Sequence, residues 1–294
     1  MLKGAPSIVT AVSARAVASR SQMLRPPSPV LKSARSHVIG YLATVGQETG
    51  ELPPLTVDSP GFQVGRAKIG LGSSSATTVA ACGFLFEWAG LNIDSNRDNL
   101  MDLAIKAHRA AQGGKGSGAD VAAAVHGGTL VFSNGRLQDK ISISCVEIVP
   151  VWSGRAASTT KLIESTETLR QENPAEYRRC FNDLTRVAEQ MIGACRAHDT
   201  SAVIEATREY GSLMGKLGDR ASSPIVTKEH ARISDLARQA GGAAKPSGAG
   251  GGDVAIGVFA GRDQSASFRD LVEKSGFRVL DITPGAEGVR REST

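Results

Sequence analysis

Three glycine-rich stretches interrupt this chain, and they constrain its fold and function more than any other feature. They cover residues 68–76, 113–120 and 245–253, and the 294 residues include 33 glycines. Glycine is needed where the backbone turns tightly or approaches a ligand closely, and consecutive glycines cost chain entropy on folding. Each stretch is bordered by Ser, Asp or Lys, and ordered apolar sequence continues after it. We therefore expect the three stretches to form a phosphate site.

The first stretch reads KIGLGSSSA and opens an apolar helix that Gly90 ends. Free N–H groups at a helix N-terminus bind phosphate oxygens, and the serine hydroxyls can donate to phosphate or ligate Mg²⁺. The stretch is not a Walker A loop, and it is not a dinucleotide fingerprint because Ser75 stands in place of the third glycine. The alternative is a serine-capped core helix without a ligand.

The second and third stretches add a carboxylate and a lysine. Asp120 stands at the start of an alanine-rich helix, where the helix dipole stabilises an ionised carboxylate. Such a group beside a glycine turn can accept a hydroxyl proton or orient an acceptor. Alternatively, Asp120 only caps its helix. The third stretch reads KPSGAGGGD and leads into the strand-like residues 254–259, with a flexible linker as the alternative.

Composition excludes several classes of protein. With 41% hydrophobic and 21% charged residues, the chain can form one large domain or two ordinary ones, and it is neither disordered nor a small disulfide scaffold. Its four cysteines and five histidines show no zinc or redox spacing, so we expect a reduced cytoplasmic protein. No apolar run is long enough to predict a membrane span. The net charge of +5 suits anionic small molecules and also permits nucleic-acid contact.

The amino-terminal part is expected to be irregular. Its β-branched content favours a strand over residues 6–12, with an organellar transit peptide as the alternative because the start is basic and lacks acidic residues before Glu48. Six prolines predict that residues 26–60 are loop-rich with short strands. Residues 73–132 predict two helices joined by a glycine loop.

The carboxy-terminal half changes character near residue 146. A strand over residues 146–153 is expected to lead into a second domain, and residues 161–240 are expected to be helical. Asn173, Pro174 and Glu176 give an N-cap, a first-turn proline and an acidic residue at the third position, which mark a helix start.

These motifs resemble those of the GHMP kinases, which phosphorylate galactose, homoserine, mevalonate and phosphomevalonate. Residues 70–76 match the G-L-G-S-S-x-A phosphate loop of that family, and residues 245–253 match its carboxy-terminal glycine motif. The G-A-G-G-G-D form is most similar to the phosphomevalonate kinase branch, as is the Q-G-x-x-G-S-G-x-D-V-A-A stretch over residues 112–124. Residues 2–6 resemble the second strand of these enzymes. The resemblance therefore runs from residue 2 to about residue 283.

The resemblance implies an α+β, two-domain GHMP kinase fold with Mg-ATP as phosphoryl donor. An N-terminal α/β domain with the phosphate loop would cover residues 1–145, and a ferredoxin-like α+β domain would cover residues 146–294. A looser match of residues 152–159 implies a segment near the acceptor. The implied catalytic residues are Asp120 and Lys68, those for ATP are Gly70, Leu71, Gly72, Ser73, Ser74 and Ser75, with Ser74 also for Mg²⁺, and those for the acceptor are Ser117, Gly118, Arg155, Ser158, Ser247, Gly248, Ala249 and Gly250.

Charge bears on which acceptor is used. Phosphoryl transfer depends mainly on positioning and on neutralising charge. An alcohol such as mevalonate must lose a proton, for which Asp120 is the base, whereas a phosphate acceptor is already ionised and needs cations. Four cations stand in or beside the motifs: Lys68, Lys115, Arg155 and Lys245. They favour phosphomevalonate as acceptor, with diphosphomevalonate and ADP as products, although a surface lysine is usually only a solvated charge.

Two features depart from the family pattern. The lysine-bearing first strand of the family has no counterpart ahead of residues 2–12, so either the true start lies upstream of Met1 or the chain is an impaired relative. A sheet edge left open there would permit a homodimer. The acidic residue that some members use as another Mg²⁺ ligand has no obvious counterpart near His108.

Three other functions compete with a phosphomevalonate kinase. The first is a mevalonate kinase or another small-molecule kinase of the family. The second is a binding protein that keeps the fold without turnover. The third and weakest is a nucleic-acid binder, since the sequence lacks a basic stripe with interleaved aromatic residues.

Overall fold

The computed structural model describes residues 4–21, 27–47, 50–65, 67–114 and 116–292. The predicted role of Lys115 and the match at residues 2 and 3 lie outside the described residues. The described helices are α1 (Pro29–Thr44), α2 (Ser73–Trp88), α3 (Arg97–Ala111), α4 (Ala119–His126), α5 (Thr159–Glu172), α6 (Pro174–Arg196), α7 (Thr200–Arg220), α8 (Lys228–Gln239) and α9 (Arg262–Lys274). The described strands are β1 (Ser7–Thr10), β2 (Val17–Arg20), β3 (Leu55–Asp58), β4 (Gln63–Val64), β5 (Ala67–Lys68), β6 (Thr129–Ser133), β7 (Arg136–Ile141), β8 (Glu147–Trp152), β9 (Ala243–Pro246), β10 (Val254–Phe259) and β11 (Arg278–Val279).

The chain divides into two compact units, each assembled from separate segments. The first unit comprises the described parts of Val9–Gln63, Gly72–Lys140 and Thr283–Thr294. The second unit comprises those of Met1–Ile8, Val64–Leu71 and Ile141–Ile282. The domain boundary that the sequence places at residues 145 and 146 stays a prediction.

The core of the first unit is helical. Helices α1 to α4 pack on one another around fully buried side chains such as Leu42, Phe86 and Leu100. Tyr41 of α1 stacks on Phe86 of α2 with the ring centroids 5.3 Å apart. Strand β6, which follows α4, contributes Leu130 to the same core. This packing fixes the starts of α2 and α4, where two of the glycine-rich stretches end.

Two predictions for this unit are wrong. Residues 29–44 form helix α1 rather than loop, because Pro29 occupies the first helical turn, where no N–H bond is lost, and the Ser28 hydroxyl caps it. Residues 73–132 contain three helices, since the segment between Gly90 and the second glycine stretch forms α3. The buried side chains of α3 recur at helical spacing, with Leu100, Ala104 and His108 on one face.

The second unit is built on a four-stranded antiparallel sheet of order β11-β8-β10-β9. Alternate residues of β8 and β10 face helices α8 and α9, and Phe259 meets Phe268 with ring centroids 4.8 Å apart. Helices α5, α6 and α7 form a further apolar cluster. The predicted start of α6 is confirmed, because the Asn173 side chain accepts from the Glu176 N–H. The predicted strand near residue 146 is β8.

Among the described residues, no helix is long and apolar enough to cross a membrane.

Candidate active site

The first glycine-rich stretch forms a loop that ends at the start of α2. Gly70 and Gly72 have left-handed φ values of +71° and +74°, which favour glycine. Gly72 is the N-cap, and no side chain among the described residues caps the first turn. The N–H groups of that turn are therefore available to an anion. The serine-capped alternative is wrong, because Ser73 to Ser75 lie inside the helix.

A hydroxyl network joins this loop to Asp120 and to a histidine that the sequence did not single out for the site. The buried Ser75 hydroxyl donates to Asp120 Oδ2. His108 Nε2 lies 3.0 Å from Ser74 Oγ and 3.3 Å from Ser75 Oγ. His108 itself is buried, with 7% of its surface exposed.

Proton counting assigns the direction of these hydrogen bonds. A hydroxyl has one proton and an ionised carboxylate only accepts, so the Ser75 proton goes to Asp120 and Ser75 can only accept from His108. His108 then carries its proton on Nε2, a tautomer assigned by the network rather than observed. The Ser74 proton consequently stays free to bind a phosphate oxygen.

Asp120 is the second residue of α4 and is exposed to solvent. A Cβ placed on Gly72 would lie 3.6 Å from the Asp120 Cβ, so the carboxylate stands beside the phosphate loop. Gly118 is the N-cap of α4, with φ +94°, and it is buried against Ile105. The N-cap of α4 is thus Gly118 and not Asp120, whose Oδ2 accepts from Ser75 and whose Oδ1 accepts from the Val121 N–H over 3.0 Å.

Arg109 holds the second glycine-rich stretch in place, a role that the sequence did not indicate. Its Nε donates to Gly116 O over 3.0 Å, and its Nη2 donates to Ser117 O over 2.8 Å. Ser117, a predicted acceptor residue, is exposed, and its Oγ accepts from the Ala119 N–H over 3.2 Å. The loop before α4 is thus fixed from its carbonyl side.

Lys68 and Lys245, two motif lysines that lie in the second unit, differ in their surroundings. Lys68, predicted to be catalytic, is exposed at the end of β5. Lys245 is half-buried on β9, where its Nζ donates to Pro246 O over 3.1 Å and lies 5.1 Å from the centre of the Tyr210 ring. Burial lowers the pKa of Lys245 to about 8. No carboxylate among the described residues pairs with it.

The third glycine-rich stretch is packed mainly through its backbone. Gly250 has φ +77°, and a Cβ there would overlap Ile225 O. The Gly251 N–H donates to the same carbonyl over 2.8 Å. Of the predicted acceptor residues, Gly248 is exposed, Ser247 and Ala249 are half-buried, and Gly250 is buried.

The segment before α5 carries the remaining predicted acceptor residues. Arg155 is exposed, and its Nη1 lies 3.7 Å from Glu229 Oε2. A hydrogen bond from Thr227 is the main cause of the lowered pKa of Glu229, and the Arg155 charge adds to it. Ser158 is the exposed N-cap of α5.

Within the first unit, the structure brings together the predicted residues Gly72, Ser74, Ser75 and Asp120. Within the second unit, it brings Gly70 close to the end of the third stretch and Arg155 close to α8. No group of three or more His, Cys, Asp or Glu side chains within the described ranges is arranged to hold a metal. Oxygen atoms that could bind a metal ion beside the loop include those of the Ser74 hydroxyl and the Asp120 carboxylate.

Comparison with known proteins assigns the class. Residues 49–128 match the family model for the GHMP kinases N terminal domain, and residues 191–276 match the model for GHMP kinases C terminal. The chain therefore belongs to the GHMP kinase family, which confirms the predicted family and its α+β fold.

Individual members show how near the resemblance is. The phosphomevalonate kinase of Streptomyces sp. strain CL190 is 30% identical, over 88% of this chain and 77% of that enzyme. The mevalonate kinase of Archaeoglobus fulgidus is 27% identical, over 71% of this chain and 68% of its own length. A structure of Streptococcus pneumoniae phosphomevalonate kinase in complex with phosphomevalonate and AMPPNP matches 95% of this chain and 89% of its own, with a TM-score of 0.74 at 16% identity. That structural likeness shows the shared fold.

Proposed function

We propose that this chain transfers the γ-phosphoryl group of ATP to phosphomevalonate, giving diphosphomevalonate and ADP. The observation that carries the proposal is the loop at residues 70–75, whose uncapped N–H groups and free Ser74 proton stand beside the Asp120 carboxylate. The Streptomyces relative supports phosphomevalonate as acceptor. The predicted assignments of ATP to Gly70, Leu71, Gly72 and Ser73 to Ser75 belong to this proposal.

In this reaction an anionic phosphate oxygen of the acceptor forms a bond to the γ-phosphorus of ATP, and the bond from that phosphorus to the β–γ bridging oxygen breaks. The acceptor oxygen has no proton to lose, so catalysis consists of positioning and charge stabilisation. The N–H groups at the start of α2 supply fixed positive ends of dipoles toward phosphate. Arg155, Lys68 and Lys245 are the cations proposed to offset repulsion between the two anions.

Mg²⁺ fits the donor chemistry of the loop. It binds one or two hard protein oxygens and completes its shell with phosphate and water, so a cluster of several carboxylates is not required. Ser74 would hold the ion, and the exposed Asp120 carboxylate offers a second oxygen. When bound, Mg²⁺ neutralises charge on the transferred phosphoryl group.

A mevalonate kinase is the second candidate, because the Archaeoglobus relative is a mevalonate kinase. Its alcohol acceptor must lose a proton during transfer. Asp120, which already accepts from Ser75, would take that proton. Only the acceptor tells the two candidates apart.

The test is ADP release from Mg-ATP with phosphomevalonate, mevalonate, homoserine and galactose offered in parallel. Turnover with phosphomevalonate alone is expected. Turnover with mevalonate alone would move the assignment to the second candidate. Silence with all four, while ATP still binds, would favour a binding protein of this fold.

A further inference from the structure

Asp253 ends the third glycine-rich stretch, and the proposed function gives it no task. Its φ is +57°, in the left-handed region where Asp and Asn are among the few non-glycine residues found regularly. Its backbone N–H donates to Arg155 O over 2.8 Å, and its carbonyl accepts from the Ser153 N–H over 2.9 Å. Both main-chain groups of Asp253 are thus paired with the segment that precedes α5.

The Asp253 carboxylate makes two further contacts within the same unit. Oδ1 accepts from the Ala157 N–H over 3.1 Å. The other carboxylate atoms fill the space that a Cβ on Gly70 would take. Burial raises the pKa of this carboxyl, and the hydrogen bond from Ala157 opposes the shift. One side chain therefore touches both the first glycine of the phosphate loop and the segment assigned to the acceptor.

Gly252, the residue before Asp253, packs closely against the same segment before α5. A Cβ on Gly252 would lie 2.8 Å from Arg155 O and 3.1 Å from the carbonyl carbon of Ala156. Close backbone contact on one side and a carboxylate on the other leave residues 155–157 little freedom to shift. A left-handed, half-buried aspartate is a costly way to end a turn. The simultaneous contacts of Asp253 with Gly70 and Ala157 offset that cost.

We propose that Asp253 is a positioning residue that sets the place of residues 153–158 against Gly70 during phosphoryl transfer. This inference rests on the proposed function, because the acceptor role of Arg155 and Ser158 comes from it. Asp253 acts through Gly70 and Ala157 rather than on the reacting atoms. A misplacement of about 1 Å in such a site can cost up to about a hundredfold in rate.

The first experiment compares Asp253→Gly with Asp253→Asn. Glycine removes the carboxylate without backbone strain, whereas asparagine tolerates the left-handed φ and keeps an oxygen for the Ala157 N–H. We expect Asp253→Gly to raise the KM for phosphomevalonate about tenfold while the KM for ATP changes less than about threefold, and Asp253→Asn to stay within about threefold on both. Asp263, on the exposed first turn of α9, has a helical backbone, so Asp263→Gly would not match Asp253→Gly. The control is therefore Asp263→Asn. Equal effects of the two Asp253 variants, or equal changes in both KM values, would overturn the proposal.

The second experiment uses the contact with Gly70. In the wild-type background, Gly70→Ala must displace the carboxylate, and we expect kcat/KM to fall about a hundredfold. In the Asp253→Gly background the space is free, so the same change should cost about tenfold or less. If the two costs simply multiply, the contact does not position the segment.

A third measurement needs no turnover, so it separates this proposal from the proposed function. Trp152 adjoins the segment, and Trp88 is the other tryptophan of the chain, half of it exposed at the end of α2. In a Trp88→Phe background, AMPPNP should change the Trp152 emission, and adding Asp253→Gly should abolish the change while AMPPNP affinity by calorimetry stays within about threefold. An unchanged emission response in the double variant would overturn the positioning role. A lost response in a protein that turns over none of the acceptors would contradict only the proposed function, whereas absence of AMPPNP binding would contradict both.

Discussion

The hydroxyl cluster around Ser75 and the backbone loop around Gly252 are both glycine-rich, yet glycine serves different purposes in them. Around Ser75, the glycine N-cap of α2 leaves N–H groups without a side-chain partner, and the side chains of Ser74, Ser75 and Asp120 carry the polar contacts. Around Gly252, the backbone itself is packed, and added side chains would overlap Ile225 and Arg155. The first region is arranged to bind, and the second is arranged to hold its neighbours in place.

Each region also contains a buried histidine, and the two are used differently. His108 donates to the serines of the phosphate loop. His230, 1% exposed, completes a capping box with Thr227 at the start of α8. Substitutions in the first region should therefore change activity with little effect on stability, whereas substitutions of the packed glycines and of His230 in the second should mainly lower stability.

The largest effect is expected from Asp120→Asn. The carboxylate, which offers an oxygen to Mg²⁺ in the proposed reaction, is replaced by an isosteric uncharged amide, so we expect kcat to fall about a thousandfold, with a modest loss of ATP binding and an unchanged melting temperature. The exposed Asp102 of α3 provides a matched control in Asp102→Asn. Surviving activity would mean that the role assigned to Asp120 is wrong.

Next comes Gly250→Ala, where the added Cβ meets Ile225 O and the left-handed φ is strained. We expect the free energy of unfolding to fall by about 3 kcal/mol in urea titration. Gly248→Ala is the matched control, because Gly248 has φ +59° but no described atom within 4 Å of an added Cβ. Its cost should be about 1 kcal/mol. Equal losses from both would show that strain, and not packing, dominates this loop.

A smaller effect is expected from pH through His230. Burial is the main cause of a pKa lowered to about 4, so the folded chain keeps His230 neutral where the unfolded chain, with a usual pKa near 6.5, takes up a proton. Stability from this group is present above pH 6.5 and is lost as the pH falls toward 4, by about 2 kcal/mol between pH 6.5 and 5.

The variant that isolates this loss is His230→Gln, because glutamine at this position can keep the reciprocal bond of a capping box. Its free energy of unfolding should fall less steeply with acid than that of the wild type. Burial also lowers the pKa of His126, but that residue is common to both proteins and cancels in the difference. Parallel curves for the two proteins would contradict the assignment.

The smallest effect is expected from Ser74→Ala. Removing the hydroxyl deletes one donor to phosphate and one Mg²⁺ ligand, and we expect the KM for Mg-ATP to rise about tenfold with stability unchanged. Ser212→Ala, at an exposed position of α7, is the control. If the Mg²⁺ dependence is the same in the variant, the ligand lies elsewhere and the hydroxyl cluster has a narrower role.

Local patterns predicted much of this structure. Signals that span only a few residues each predict the end of α2 near Gly90, the start of α6 and the strand β10. Helix α1 was missed because several prolines nearby outweighed the first-turn placement of Pro29. The prediction of secondary structure thus failed at proline, which is favoured in the first turn of a helix and disfavoured in its interior.

The candidate site was predicted in its motifs but not in its contacts. Ser75 and Asp120 are far apart in the chain, so their hydrogen bond is a product of how α2 and α4 pack. The same holds for Asp253 against Gly70 and for His108 against Ser74. A sequence pattern can name the residue types that a reaction needs, but only packing decides which side chain holds which.

The uncapped start of α2 makes the stability of the folded chain depend on what the solvent contains. Its first N–H groups have no side-chain cap among the described residues, so water or an anion must satisfy them. Any anion that binds there stabilises the folded chain in proportion to the logarithm of its concentration. Melting temperatures measured in phosphate and in a buffer of weakly binding ions will therefore differ, and neither value alone is a property of the amino-acid sequence.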